Sequence, residues 1–130
     1  MHGFGYDPIH DEIVVTSPLT QGILIFRGGA KGEEPPIRVI QGPKTQILGS
    51  AYGALDRVSV DPVNNEILLP IVPGGTVKEG GILVFDRQAN GDVAPLRMIR
   101  SAPSGKVSLR FGKTQAVAYD SKREEILVPN

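Results

Sequence analysis

The sequence predicts an all-β chain assembled from one four-stranded unit used more than once. Three observations carry this expectation. A ten-residue motif occurs three times, two further anchors occur twice at matching spacing, and Gly and Pro are abundant, 16 and 11 of 130 residues. Such a composition favours many short strands and tight turns over long helices.

The motif Tyr6-Asp7-Pro8-Ile9-His10-Asp11-Glu12-Ile13-Val14-Val15 recurs as Val60-Asp61-Pro62-Val63-Asn64-Asn65-Glu66-Ile67-Leu68-Leu69. A third copy runs Tyr119-Asp120-Ser121-Lys122-Arg123-Glu124-Glu125-Ile126-Leu127-Val128. Gly22-Ile23-Leu24-Ile25-Phe26 matches Gly81-Ile82-Leu83-Val84-Phe85, and Pro36-Ile37-Arg38-Val39-Ile40 matches Pro95-Leu96-Arg97-Met98-Ile99. Gly22 to Pro36 and Gly81 to Pro95 are both 14 residues, and Ile40 to Asp61 and Ile99 to Asp120 are both 21. The two periods, 54 and 59, therefore differ by one five-residue insertion in the Pro73–Gly80 loop.

Taken in order, strand one of each unit ends at Asp7, Asp61 or Asp120, and strand two starts at Glu12, Glu66 or Glu125. Strand three is the Gly-Ile-Leu-apolar-Phe run. Strand four surrounds Arg38 or Arg97, each between apolar neighbours, which suits an outer strand with one solvated face. These runs are short, rich in β-branched residues and bounded by Gly, Pro, Asn and Asp. Four strands in a period of roughly 50 residues is the arithmetic of a β-propeller. The expected architecture is a single partial propeller over 1–130 with about 2.5 four-stranded blades, its repeats spanning 1–53, 54–113 and an incomplete 114–130. A β-sandwich of duplicated hairpins is the competing architecture.

The pattern V-x-V-D-P-x-x-N-E-I followed by G-I-L-V-F-D-R-x-A-x-G-D-x-x-P-L-R-x-I, clearest from Val58 to Ile99, resembles the NHL/YVTN-like propeller repeats of bacterial proteins. The resemblance covers nearly the whole chain. It implies a non-enzymatic binding or structural module of a bacterial extracytoplasmic protein, secreted or periplasmic. A second implied reading is a lyase or lactonase with a metal in the central channel; a third is a self-associating surface-array or filament element. The enzymes of this kind set Asp, Glu, Asn or His around the channel. No such set matches here residue by residue, so no catalytic or metal position is carried over and no cofactor is expected.

The totals set bounds. The net charge is zero, which gives no overall basic bias toward nucleic acid. With no cysteine, disulfide scaffolds, thiolate zinc sites and cysteine nucleophiles are excluded, while the redox compartment stays open. No apolar run approaches the roughly 20 residues that span a bilayer. The first residues, Met1-His2-Gly3-Phe4-Gly5, carry neither a charged nor an apolar leader region. With four Phe, three Tyr and no Trp, stacking platforms are thin.

The recurrent acids have a plain reading. Asp7, Asp61 and Asp120 cap the turn after strand one, with Pro fixing the next φ in two copies. Glu12, Glu66 and Glu125 occur once per unit and so serve the unit rather than one site. His2 and His10 are the only histidines; His2 aligns with Asp56 and Gln115, where a propeller channel would open, but no carboxylates converge on it in sequence. Gly28-Gly29-Ala30-Lys31-Gly32 and Gly74-Gly75-Thr76 lack the following helix of a phosphate cradle and read as turns, as does Asn90-Gly91-Asp92. No Ser-His-Asp arrangement has its motif context.

Charge divides by loop. In the loops joining strands two to three, and each unit to the next, residues 16–21, 41–53, 73–80 and 100–113 carry Lys44, Lys78, Arg100, Lys106, Arg110 and Lys113 against Glu79 alone. The loops joining strands one to two and three to four carry twelve carboxylates against five cations. The first group also holds the insertion and the least similar sequence, and variable loops on a fixed scaffold are where binding is placed. Those six cations are the candidate ligand-binding face, for a protein or an acidic polymer; a merely solvated basic face is the plainer alternative. The sequence stops at Val128-Pro129-Asn130, where strand two of the third unit ends. An open arc of sheets exposes edges, so the expectation is either a piece of a longer chain or self-association that closes the ring.

Overall fold

The computed structural model describes residues 3–47, 57–72, 80–100 and 116–129. The strands are β1 (Phe4–Asp7), β2 (Glu12–Ser17), β3 (Gly22–Arg27), β4 (Arg38–Gln41), β5 (Ser59–Asp61), β6 (Glu66–Ile71), β7 (Gly81–Asp86), β8 (Arg97–Arg100), β9 (Ala118–Asp120) and β10 (Glu125–Leu127). The described residues contain no α-helix, only one 3-10 turn over Pro43–Thr45. Two four-stranded antiparallel sheets form in the order β1-β2-β3-β4 and β5-β6-β7-β8, and β9 pairs with β10. The fold is thus all-β with four-stranded antiparallel sheets, and every strand boundary named at Asp7, Glu12, Asp61, Glu66, Asp120 and Glu125 falls where the motif put it. The described residues do not form a closed ring. Residues 73–79 of the inserted loop lie outside them.

The hairpin after each first strand is built from the motif itself. Asp7 Oδ1 accepts the backbone N–H groups of Ile9 and His10 at 2.9 and 3.0 Å. Asp61 Oδ1 takes those of Val63 and Asn64, both at 3.0 Å, and Asp120 Oδ1 those of Lys122 and Arg123 at 2.9 and 3.2 Å. The side chain three residues on then returns to Oδ2: the His10 ring at 2.7 Å, Asn64 Nδ2 at 2.8 Å and Arg123 Nη1 at 2.8 Å. The turn closes through a left-handed residue, Asp11, Asn65 or Glu124, with φ of 53°, 58° and 54°. Asp and Asn accept that conformation more readily than other side-chain-bearing residues.

Glycine opens β3 and β7 because strand four crosses there. A Cβ on Gly22 would stand 2.9 Å from the Ile40 carbonyl oxygen, and one on Gly81 2.8 Å from that of Ile99. Successive sheets pack face to face. Val14, Ile23, Ile25 and Ile40 of the first sheet meet Ile67, Leu69, Leu83 and Phe85 of the second in one core. Leu68, Ile82 and Val84, on the opposite face of the second sheet, meet Val117 of the β9–β10 hairpin. Full burial of each such aliphatic side chain contributes about 1.5–3 kcal/mol. The second sheet is covered on both faces, so β6 reads as a continuous apolar run rather than an alternating one. First strands lie side by side, β1 by β5 and β5 by β9. A Cβ on Gly5 would sit 3.3 Å from Val60 Cγ2 and 3.4 Å from the Val58 carbonyl oxygen, a snug fit against the neighbouring first strand.

Candidate interaction faces

The recurrent glutamates and arginines are partners. Arg38 Nη2 donates to Glu12 Oε2 at 2.6 Å, and Arg97 Nη2 donates to Glu66 Oε2 at 2.7 Å, with Arg97 Nη1 on Glu66 Oε1. Each pair ties strand two to strand four across its own sheet. The first pair has a third member: Arg87, the residue just after β7 of the second sheet, donates from Nη1 to the same Glu12 oxygen at 3.0 Å. The side chains of Glu12 and Arg87 are each 9% exposed. The expectation of a solvated arginine in strand four therefore fails for Arg38, whose side chain is 17% exposed, and holds better for Arg97 at 47%. Arg38 faces the neighbouring sheet, so the pleat turns it inward.

Beside this triad, Asn90-Gly91-Asp92 does more than turn the chain. Asn90 Oδ1 accepts the Val39 N–H at 3.0 Å, Gly91 N–H donates to Val39 O at 2.6 Å and Gln41 N–H to Gly91 O at 3.2 Å. Asp92 Oδ1 accepts the Lys44 N–H at 2.7 Å and packs on Gly42, whose φ of 133° suits glycine. The loop between β7 and β8 thus runs along the outer edge of β4. It carries Asp92 to the end of the first sheet that holds Lys44, so the two charge groups read from the loops meet there. No local signal marks this, because the partners lie 51 and 48 residues apart.

Of the six candidate cations, two are described. Lys44 is exposed in the 3-10 turn after β4, and Arg100 is exposed at the end of β8, its Nε 3.2 Å from Met98 Sδ. They occupy corresponding ends of neighbouring sheets. Lys78, Lys106, Arg110 and Lys113 lie outside the described residues, as do His2 and Gly74-Gly75-Thr76. Behind Lys44, Thr45 is buried and donates from Oγ1 to Gly42 O at 2.6 Å while accepting the Ile47 N–H at 3.2 Å, which seats Ile47 in the core.

On the opposite loops the carboxylates are largely engaged. Burial pushes the Asp7 carboxyl up, but hydrogen bonds from the His10 backbone and ring and from Ile9 outweigh it and hold the group below the usual Asp range. The Arg123 guanidinium, then the Lys122 and Arg123 N–H groups, lower Asp120. Arg27 lowers Glu34 through its hydrogen bonds at 3.0 Å, and the Lys31 N–H adds to this. The Asp11 carboxylate accepts the Tyr6 hydroxyl at 2.9 Å and raises its pKa. Among the described residues, no group of three or more acids and histidines is placed to hold a metal ion, and no helix is long and apolar enough to cross a membrane. In comparison with known proteins, the chain matches no family model, no curated protein and no solved structure.

Proposed function

We propose that this chain is a non-enzymatic binding or structural module of β-propeller architecture, of the NHL/YVTN-like kind, whose basic loops take an acidic partner. The observation that carries the reading is the use made of the recurrent acids. Each strand-one aspartate closes the turn that follows it, and Glu12 and Glu66 hold arginines of strand four. Acids committed to the same task in every unit serve the scaffold, and specificity then falls to the loops that vary. The propeller reading is supported by sheets stacked face to face in chain order with their first strands side by side, the disposition of blades about an axis.

The test is capture of the chain on immobilised heparin and polyaspartate across a salt series. Binding that weakens with salt is expected. The triple reversal Lys106→Glu, Arg110→Glu, Lys113→Glu should abolish it; capture unchanged by that reversal would end the basic-face reading. Titration with Ca²⁺ and Zn²⁺ completes the test: a rise in melting temperature with either ion would turn the assignment toward the metal-dependent lyases and lactonases.

A further inference from the structure

Asn90 and Gly91 form the only Asn-Gly pair in the 130-residue sequence. Asparagine is a labile residue, and most so before glycine, which has no side chain to hinder its own backbone nitrogen. The reaction is internal. The Gly91 nitrogen attacks Cγ of Asn90, an N–Cγ bond forms, and the Cγ–Nδ2 bond breaks. The Gly91 N–H proton leaves with Nδ2 as ammonia. Water then opens the cyclic imide at either carbonyl. Cleavage of the N–Cγ bond gives aspartate. Cleavage of the original peptide bond gives isoaspartate, in which the chain runs on through Cγ and is longer by a methylene.

Both reacting groups are held by one residue of the neighbouring sheet. Gly91 N–H donates to Val39 O at 2.6 Å, and Asn90 Oδ1 accepts the Val39 N–H at 3.0 Å. The nucleophile is thereby kept protonated, since a bare amide nitrogen would face the lone pairs of the Val39 carbonyl. The electrophile is pinned by its oxygen, so Cγ turns onto the nitrogen only by giving up its own bond. Asn90 and Gly91 are both solvent-exposed, so hydrogen bonding and not burial withholds them. Gln41 N–H donates to Gly91 O and Lys44 N–H to Asp92 Oδ1, which fastens the same segment to the first sheet. Asn90 and Gly91 are free to react only when this seam between the sheets opens.

We propose that Asn90 is a modification site, an imide-forming asparagine that the Val39 backbone holds unreactive and whose conversion to isoaspartate unfastens this seam. The native rate is that of the free segment multiplied by the fraction of time the seam stands open. Aspartate keeps a side-chain oxygen for the Val39 N–H. Isoaspartate displaces the Gly91 N–H by a methylene and loses the paired bonds. Each opening that ends in reaction is therefore recorded in the covalent chain. The proposal rests on the bonds between the two sheets and not on the basic loops.

The test is incubation of the full chain in mildly alkaline buffer, with and without guanidinium chloride. Peptide mapping reads deamidation, and enzymatic methylation reads isoaspartate. Asn90 should react about tenfold or more slowly in the native chain than in the unfolded one. Asp92→Ala removes the acceptor of the Lys44 N–H. It should speed the native reaction at Asn90, leave the unfolded rate unchanged and keep the wild-type circular dichroism. Equal native and unfolded rates in the wild type overturn the proposal, and so does a folded Asp92→Ala chain that reacts no faster than the wild type. In aged native protein, the isoaspartate fraction should melt below both the unmodified chain and Asn90→Asp. An isoaspartate fraction that melts with the unmodified chain shows the seam intact and overturns the unfastening. None of these readouts involves capture on heparin, so this proposal and the basic-face reading fail separately.

Discussion

Glu12 and Glu66 occupy one position in the repeat and do unequal work. Glu12 is shared by Arg38 and Arg87 out of solvent, while Arg97 beside Glu66 is nearly half exposed. Removing one member of a buried ion cluster leaves the others uncompensated, at about 3–5 kcal/mol, whereas a solvent-exposed pair contributes about 0–1 kcal/mol. Glu12→Gln is expected to lower the unfolding free energy several times more than Glu66→Gln in matched urea titrations, and equal losses would show that Arg87 adds nothing. Acid acts at the same scale. The carboxyls of Asp7, Glu34 and Asp120 are held below their ordinary values in the folded chain. The unfolded chain therefore takes up these protons first as pH falls. Their stabilisation is complete above the ordinary carboxylate range, about pH 4, and is lost on descending through the lower folded values. Asp7→Asn keeps an acceptor for the turn and removes the titration, so its melting temperature should fall less steeply below about pH 4 than that of the wild type, as thermal melts in acid buffers would show.

At the scale of the element, glycine sets how closely strand four can follow strand three. The Gly22 position leaves no room for a Cβ against the backbone carbonyl of Ile40, and backbone cannot swing aside as a side chain can. Gly22→Ala should cost about 1–3 kcal/mol, measured by chemical denaturation, with Gly81→Ala similar. Gly32→Ala, at a φ of 56° in open space, meets no such contact and tests backbone strain alone. The strands themselves were legible because the turn chemistry repeats: Asp at a strand end and a left-handed residue four positions later mark both borders of the hairpin. What alternation could not reveal was the direction of Arg38. A four-residue strand with half-buried residues on both faces gives no clear solvent-facing period, so an arginine among aliphatics reads the same whether it points to water or to a buried glutamate. The candidate basic face was legible only as a charge count, because loop membership does not say how far a loop travels, and Asp92 travels to Lys44.

For the whole molecule, the described residues form a stack in which the middle sheet is buried on both sides, while the outer face of the first sheet buries Val15 and leaves Phe4 and Tyr6 exposed. Phe4 and Leu127 are apolar like their counterparts Val58 and Leu68, yet are 68% and 50% exposed where those are 5% and 0%. The bond between the first two sheets has a further consequence. By occupying the outward N–H and C=O of Val39, the Asn90-Gly91 segment leaves that rim of the first sheet unavailable as a template for a foreign strand. Lateral accretion, the route by which exposed rims seed fibrils, is blocked along that border.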